Sequence, residues 1–174
     1  MKTVTDQLAN YAAYHRDPRN IATHFIGIPM IVVAVAMLLS RPALGHVGGV
    51  ALSPALAVTL LTALYYLRLD LRLGLLMAAL LALALAAGQW AAAQSTGLWL
   101  TLGIGLFVVG WVFQFIGHYW EGRKPAFVDD LMGLVIGPLF VAAEAVFALG
   151  LRTELRTAVE ARVGPVRRRD LSTA

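Results

Sequence analysis

The chain has no cysteine. That excludes disulfides, thiolate metal sites, iron-sulfur clusters and cysteine nucleophiles together, so any metal must be held by nitrogen and oxygen. Charge is also scarce. Asp, Glu, Lys and Arg make up 14% of the 174 residues, while 59% are hydrophobic. Soluble domains carry roughly a quarter charged residues, so an ordinary soluble fold is excluded and an integral membrane protein is indicated. Lysine is nearly missing: Lys2 and Lys124 are the two among 14 basic residues. Nucleotide-binding loops, serine-hydrolase elbows and zinc-protease helices are absent too, and Gly103 and Gly105 sit within an apolar run suited to helix packing rather than phosphate. Residues 1–20 lack an apolar core and a small-residue cleavage site, and are not expected to be a secretory leader.

What is present is apolar sequence in five blocks, at 21–39, 47–67, 71–93, 98–116 and 131–151, each near the ~20 residues that cross a bilayer. Before them, residues 3–15 place Val4, Leu8, Tyr11 and His15 at helical spacing, as in an interfacial amphipathic helix. Asp17-Pro18 stops that helix, and the chain is expected to restart near Ile21. Pro29 interrupts the first block and Gly137-Pro138 the fifth. Ala78, Ala82 and Ala86, and Gly133 with Gly137, are small-residue patterns for close helix approach.

Arg16 and Arg19 precede the first block, Arg68 and Arg72 lie between the second and third, and Arg123 with Lys124 follows the fourth. Basic flanks stay cytoplasmic, so these places share that side if four blocks cross. A fifth crossing would carry Arg152, Arg156, Arg162 and Arg167, Arg168 and Arg169 to the far side. The expected fold is therefore an all-α membrane bundle with about four crossings, an interfacial N-terminal helix and a fifth segment broken or re-entrant at Gly137-Pro138. It is organised as one membrane-embedded domain over 1–151 with a basic tail over 152–174. The net charge of +4 beside so much apolar sequence favours membrane lipids over nucleic acid as partners.

This topology puts His24, at the start of one span, and His118, at the end of another, on one side of the membrane, with His15 nearby; His46 falls on the other. Gln114, His118 and Glu121 share one helix face. Three imidazoles with a carboxylate suit iron, zinc or manganese. Glu121 reads either as a ligand or as a partner of Arg123 or Lys124. Glu144, inside an apolar block, reads as a ligand, an acceptor behind an imidazole, a proton acceptor or the partner of an arginine. Gln114 reads as an imidazole's partner or a helix-packing bond. Arg16, Arg19, Arg123 and Lys124 fit an acidic head group, and equally satisfy the charge rule.

Tyr14-His15-Arg16-Asp17-Pro18-Arg19-Asn20, His24, Gly27-Ile28-Pro29, Gln114-Phe115-Ile116-Gly117-His118, Glu121, Arg123 and Pro125-Ala126 together resemble the Mpo1-like family, over residues from about 8 to 151 that include Pro138 and Glu144. The resemblance implies an iron(II)-dependent dioxygenase that shortens 2-hydroxy fatty acids by one carbon in alpha-oxidation, with dioxygen as co-substrate. It implies His15, His24 and His118 as ligands, with Glu121 or Glu144 as fourth ligand or supporting acceptor. Arg16, Arg19 or Arg123 would steer the substrate carboxylate, and Asp129 matches a further acidic position. The fungal pattern has a second histidine directly after the first, where this chain has Arg16. Arginine-rich, alanine- and leucine-rich usage suggests a bacterial inner membrane with the site facing the cytoplasm, or the endoplasmic reticulum in a eukaryote. The rival readings are a lipid-binding or scaffold protein, and a different metal-dependent lipid-modifying enzyme.

Overall fold

The computed structural model describes residues 2–170 and is helical almost throughout. Its helices are α1 (Val4–Ala12), α2 (Pro18–Ser40), α3 (Pro54–Leu69), α4 (Leu71–Ala92), α5 (Thr96–Glu121), α6 (Met132–Ala148) and α7 (Thr153–Val163), with a two-stranded hairpin of β1 (His46–Val47) and β2 (Val50–Ala51). Among the described residues, α2, α4 and α5 are long and apolar enough to cross a membrane, and the bent pair of α6 and α7 makes a fourth candidate. The chain is an all-α membrane protein. It groups into two compact units, one from Met1–Ile28 with Val112–Ala174 and the other from Pro29–Trp111.

In the second unit, the block expected at 47–67 is shortened. Gly48 and Gly49 take positive φ, a conformation that costs glycine little, and turn the chain between β1 and β2. Ser53 then caps α3 through Leu56 N–H. α3 has 16 residues, about 24 Å at 1.5 Å per residue, less than a ~30 Å hydrocarbon core. Asp70 ends α3 and caps α4 by accepting from Leu73 N–H at 2.9 Å. On α4 the close approaches occur at Gly74 and Gly88 rather than along the expected alanine row, where Ala82 and Ala86 are exposed. A Cβ on Gly74 would lie 2.6 Å from the Leu67 backbone, and one on Gly88 would lie 2.7 Å from Ala36 O.

The first unit holds most of the charged residues. Thr3 and Asp6 form a reciprocal capping box at the start of α1, satisfying two otherwise unpaired N–H groups. α2 restarts at Pro18, earlier than expected, because proline suits the first helical position and Asp17 precedes it as a cap, its Oδ1 accepting from Arg19 N–H at 2.9 Å. α6 runs unbroken through Gly137-Pro138. The break instead follows Ala148, with a 117° bend between α6 and α7 and positive φ at Gly150 and Arg152. Gly137 serves packing: a Cβ there would lie 2.9 Å from Tyr11 Oη. α7 is tied to α1 by the Arg162–Asp6 ion pair.

Candidate metal centre

His15, His24 and His118 converge, each offering a nitrogen within 4.8 Å of the others'. They are 0%, 0% and 7% exposed, so water does not share the site freely. His15 comes from the turn after α1, His24 from the second turn of α2 and His118 from the last turn of α5. Gly117 permits the meeting, since a Cβ there would lie 2.3 Å from Thr23 Oγ1 and 2.4 Å from Asn20 Oδ1.

The hydrogen bonds set the tautomers. His15 Nδ1 lies 2.7 Å from Tyr11 O, and His24 Nδ1 lies 2.9 Å from Asn20 O. A carbonyl oxygen only accepts, so both Nδ1 atoms carry hydrogen and both neutral rings present bare Nε2 lone pairs. Those two Nε2 atoms face each other at 3.0 Å. Two lone pairs at that distance repel unless a cation lies with them, and burial pushes the His15 imidazole well below its ordinary pKa, with His24 adding to the effect. His118 Nδ1 is buried with no hydrogen-bond partner, as is Gln114 Nε2 one turn earlier. The donor set therefore fits a metal ion: three neutral imidazoles, two with their ring orientation fixed from behind. Tyr11 stacks on His15 at 4.1 Å between centroids, and Phe140 of α6 packs against both.

The expected acidic partners lie outside this group. Glu121 receives Arg16 N–H at 2.9 and 3.0 Å, Asp17 N–H at 2.8 Å and Asn20 Nδ2 at 2.9 Å. Its carboxylate clamps the turn between α1 and α2 and so positions His15 and His24 rather than facing them. Glu144 is half-buried and lies 3.9 Å from the Arg16 guanidinium, the arrangement of the arginine-partner reading.

Arg16 donates to Ala12 O, His15 O and Gly164 O, so the position that is histidine in the fungal pattern points to the C-terminal segment. Arg19 forms a two-point pair with Asp17 at 3.0 and 2.8 Å, holding that carboxyl down at about 2. Arg123 donates to Ala13 O at 2.7 Å. Lys124 pairs with Asp129, which also accepts from Tyr14 Oη at 2.8 Å. His46 is exposed in β1.

Two contributors escaped sequence reasoning. Asn20 holds His24 through its carbonyl and Glu121 through its amide, and its position four residues before His24 was the available signal. The other is the segment 164–170, which packs along the α1–α2 turn: Arg167 N–H donates to Arg16 O at 2.9 Å and Arg169 N–H to Asp17 Oδ2 at 2.8 Å.

Residues 1–149 match the model of the family described as 2-hydroxy-palmitic acid dioxygenase Mpo1-like. The 2-hydroxy-palmitic acid dioxygenase MPO1 of Saccharomyces cerevisiae is 35% identical over 156 residues, covering 88% of this chain and 86% of that protein. No solved structure matches the chain.

Proposed function

The chain belongs to the Mpo1-like family, and from that premise we propose that it is an iron(II)-dependent dioxygenase which shortens 2-hydroxy fatty acids by one carbon. The observation that carries this reading is the pair of buried, bare Nε2 atoms of His15 and His24 at 3.0 Å, in a group that a His118 nitrogen completes within 4.8 Å. A cysteine-free, all-imidazole set accommodates iron(II) and leaves coordination positions open. Iron would supply a site at which dioxygen and the hydroxy acid are brought together. In balance, R-CH(OH)-COOH and O2 give R-COOH, CO2 and water.

The protein's own residues do the rest. Tyr11 O and Asn20 O hold the imidazole tautomers, Glu121 fixes the turn that carries His15, and Tyr11 with Phe140 walls the centre against water. The apolar helices suit an alkyl chain. Arg16, Arg19, Arg123 and Lys124 around the centre favour a cytoplasm-facing site, in a bacterial inner membrane on the arginine-, alanine- and leucine-rich usage, or in the endoplasmic reticulum of a eukaryote.

Anaerobic purification followed by metal analysis and incubation with 2-hydroxypalmitate tests the proposal. Stoichiometric iron and oxygen-dependent formation of the acid one carbon shorter are expected. Protein that binds no iron, or forms no shortened acid in oxygen, overturns it.

A further inference from the structure

The C-terminal segment 164–170 follows the end of the family match at residue 149, and it is folded onto the turn that carries His15. Besides the Arg167 and Arg169 main-chain bonds, Gly164 O accepts from Arg16 and Arg169 O accepts from Arg19 Nη2 at 3.0 Å. The contact is close: the Arg169 guanidinium lies where a Cβ on Gly122 would stand, and Gly122 has φ +67°, a backbone conformation that glycine adopts at little cost.

Between this segment and the α1–α2 turn lies a cleft of about 1080 Å³. Six arginines line it, Arg16, Arg123, Arg162, Arg167, Arg168 and Arg169, against Asp17, Glu121 and Asp170. Two of those acids are already committed. Asp17 pairs with Arg19, and Glu121 is filled by backbone and amide N–H groups. Of the arginines, Arg162 pairs with Asp6 and Arg16 lies 3.9 Å from Glu144, so the excess of positive charge over Glu121 and Asp170 rests with Arg123, Arg167, Arg168 and Arg169 and favours an anion. Arg167 and Arg168 are exposed on its rim.

Ala13, Arg162 and Val163 line this cleft and also a second pocket of about 450 Å³ whose walls include Tyr11, Met132 and Ile136. A charged cleft and a partly apolar pocket share one wall. That arrangement suits a ligand with an anionic head and an alkyl tail better than a free inorganic ion.

We infer that the 164–170 segment completes an anion-binding cleft that captures the carboxylate of a long-chain acid beside the metal centre. This deepens the reading of the chain as a fatty-acid oxygenase and rests on it for the identity of the acid. The main-chain bonds hold the segment in place, so the Arg167 and Arg168 side chains can be changed without releasing it.

The test is anaerobic binding of 2-hydroxypalmitate and of its methyl ester to the full-length protein in neutral detergent. Wild type is compared with Arg167→Ala/Arg168→Ala and with Arg167→Lys/Arg168→Lys, and metal content is measured in each. Loss of two partly exposed charge contacts is expected to weaken binding of the acid about tenfold. The ester is expected to be unaffected, the lysine pair to restore most of the affinity, and the metal content to hold. Unchanged affinity of the alanine pair for the acid overturns the inference. So does unchanged acid binding accompanied by lost retention of phosphatidylglycerol, which would assign the cleft to lipid phosphate. Because binding is read without turnover, lost acid binding in a protein that forms no product would sink the oxygenase reading while leaving the cleft assignment standing.

Discussion

His15 and His24 face each other through Nε2 at 3.0 Å, each with Nδ1 on the carbonyl of the residue four positions earlier. The repeated i to i−4 geometry presents an unprotonated nitrogen from each ring. Alanine at His15, His24 or His118 is expected to remove metal binding. Without their cation, the remaining bare nitrogens face one another in a buried site. Chelation should therefore lower the wild-type unfolding temperature, since a metal held by the folded state alone stabilises it by mass action. Metal analysis of each variant and thermal unfolding with and without chelator check both outcomes. A chelator-insensitive unfolding temperature, with His118→Ala retaining wild-type metal, would contradict this account.

Glu121 gives a prediction of a different kind, because it touches the turn rather than the imidazoles. Replacing it by alanine leaves the N–H groups of Arg16 and Asp17 and the Asn20 amide without their acceptor. Unsatisfied donors in a partly buried turn cost about 2–4 kcal/mol together. Metal affinity is expected to fall roughly 10–100-fold, as when groups that orient ligands are lost. Glu121→Gln keeps one oxygen acceptor and should fall between alanine and wild type. Denaturant unfolding measures the first effect and competition with a chromogenic chelator the second. Wild-type metal affinity in Glu121→Ala would show that the clamp does not position the imidazoles.

These two sets of residues show what sequence could reach. The histidines were legible because hydropathy placed His24 and His118 at span ends on one side, and the motif around His15 resembled a known family. The all-helical membrane fold followed from composition in the same way. Glu121 was legible as a residue near the site but not as a clamp, because two of its three partners are main-chain N–H groups, 105 and 104 positions away, and the third is the Asn20 side-chain amide 101 positions away. No side-chain pattern records such partners. The fifth segment shows the opposite difficulty. Gly137-Pro138 carries a break signal, yet α6 absorbs the proline, and the turn is made by Gly150 and by Arg152 at φ 54°, a residue type that gives no such signal.

The α1–α7 link allows a pH prediction. Hydrogen bonds from Arg162 and from Thr3 depress the Asp6 carboxyl below its ordinary value of 3.8. A depressed folded-state pKa contributes stability above the unfolded value, and that contribution is lost as pH falls toward the folded one. Asp6→Asn should therefore be less thermally stable than wild type at neutral pH, with the gap closing below about pH 4. The pair is solvent-exposed, so the gap should also shrink in high salt. Unfolding temperatures of both proteins across pH and salt check the sign, and a gap that widens on acidification would be the wrong one.

Gly117 makes a steric prediction about the centre. Its helix passes so close to α2 that a methyl group would stand 2.3 Å from Thr23 Oγ1 and 2.4 Å from Asn20 Oδ1. Asn20 also supplies the carbonyl that fixes His24 and the amide that reaches Glu121. Gly117→Ala must push these groups, and forcing a methyl into a packed contact costs about 1–3 kcal/mol. Because the displaced residue orients a ligand, the metal site should suffer beyond the loss of stability. The expected result is a folded protein with reduced metal content and the neighbouring His118 still in place. Gly105→Ala, on the same helix with nothing within 4 Å of its added Cβ, should leave metal content unchanged. Equal metal loss in both variants would point to a general effect on α5, and equal retention would mean that the α2–α5 approach does not govern the geometry of the three imidazoles.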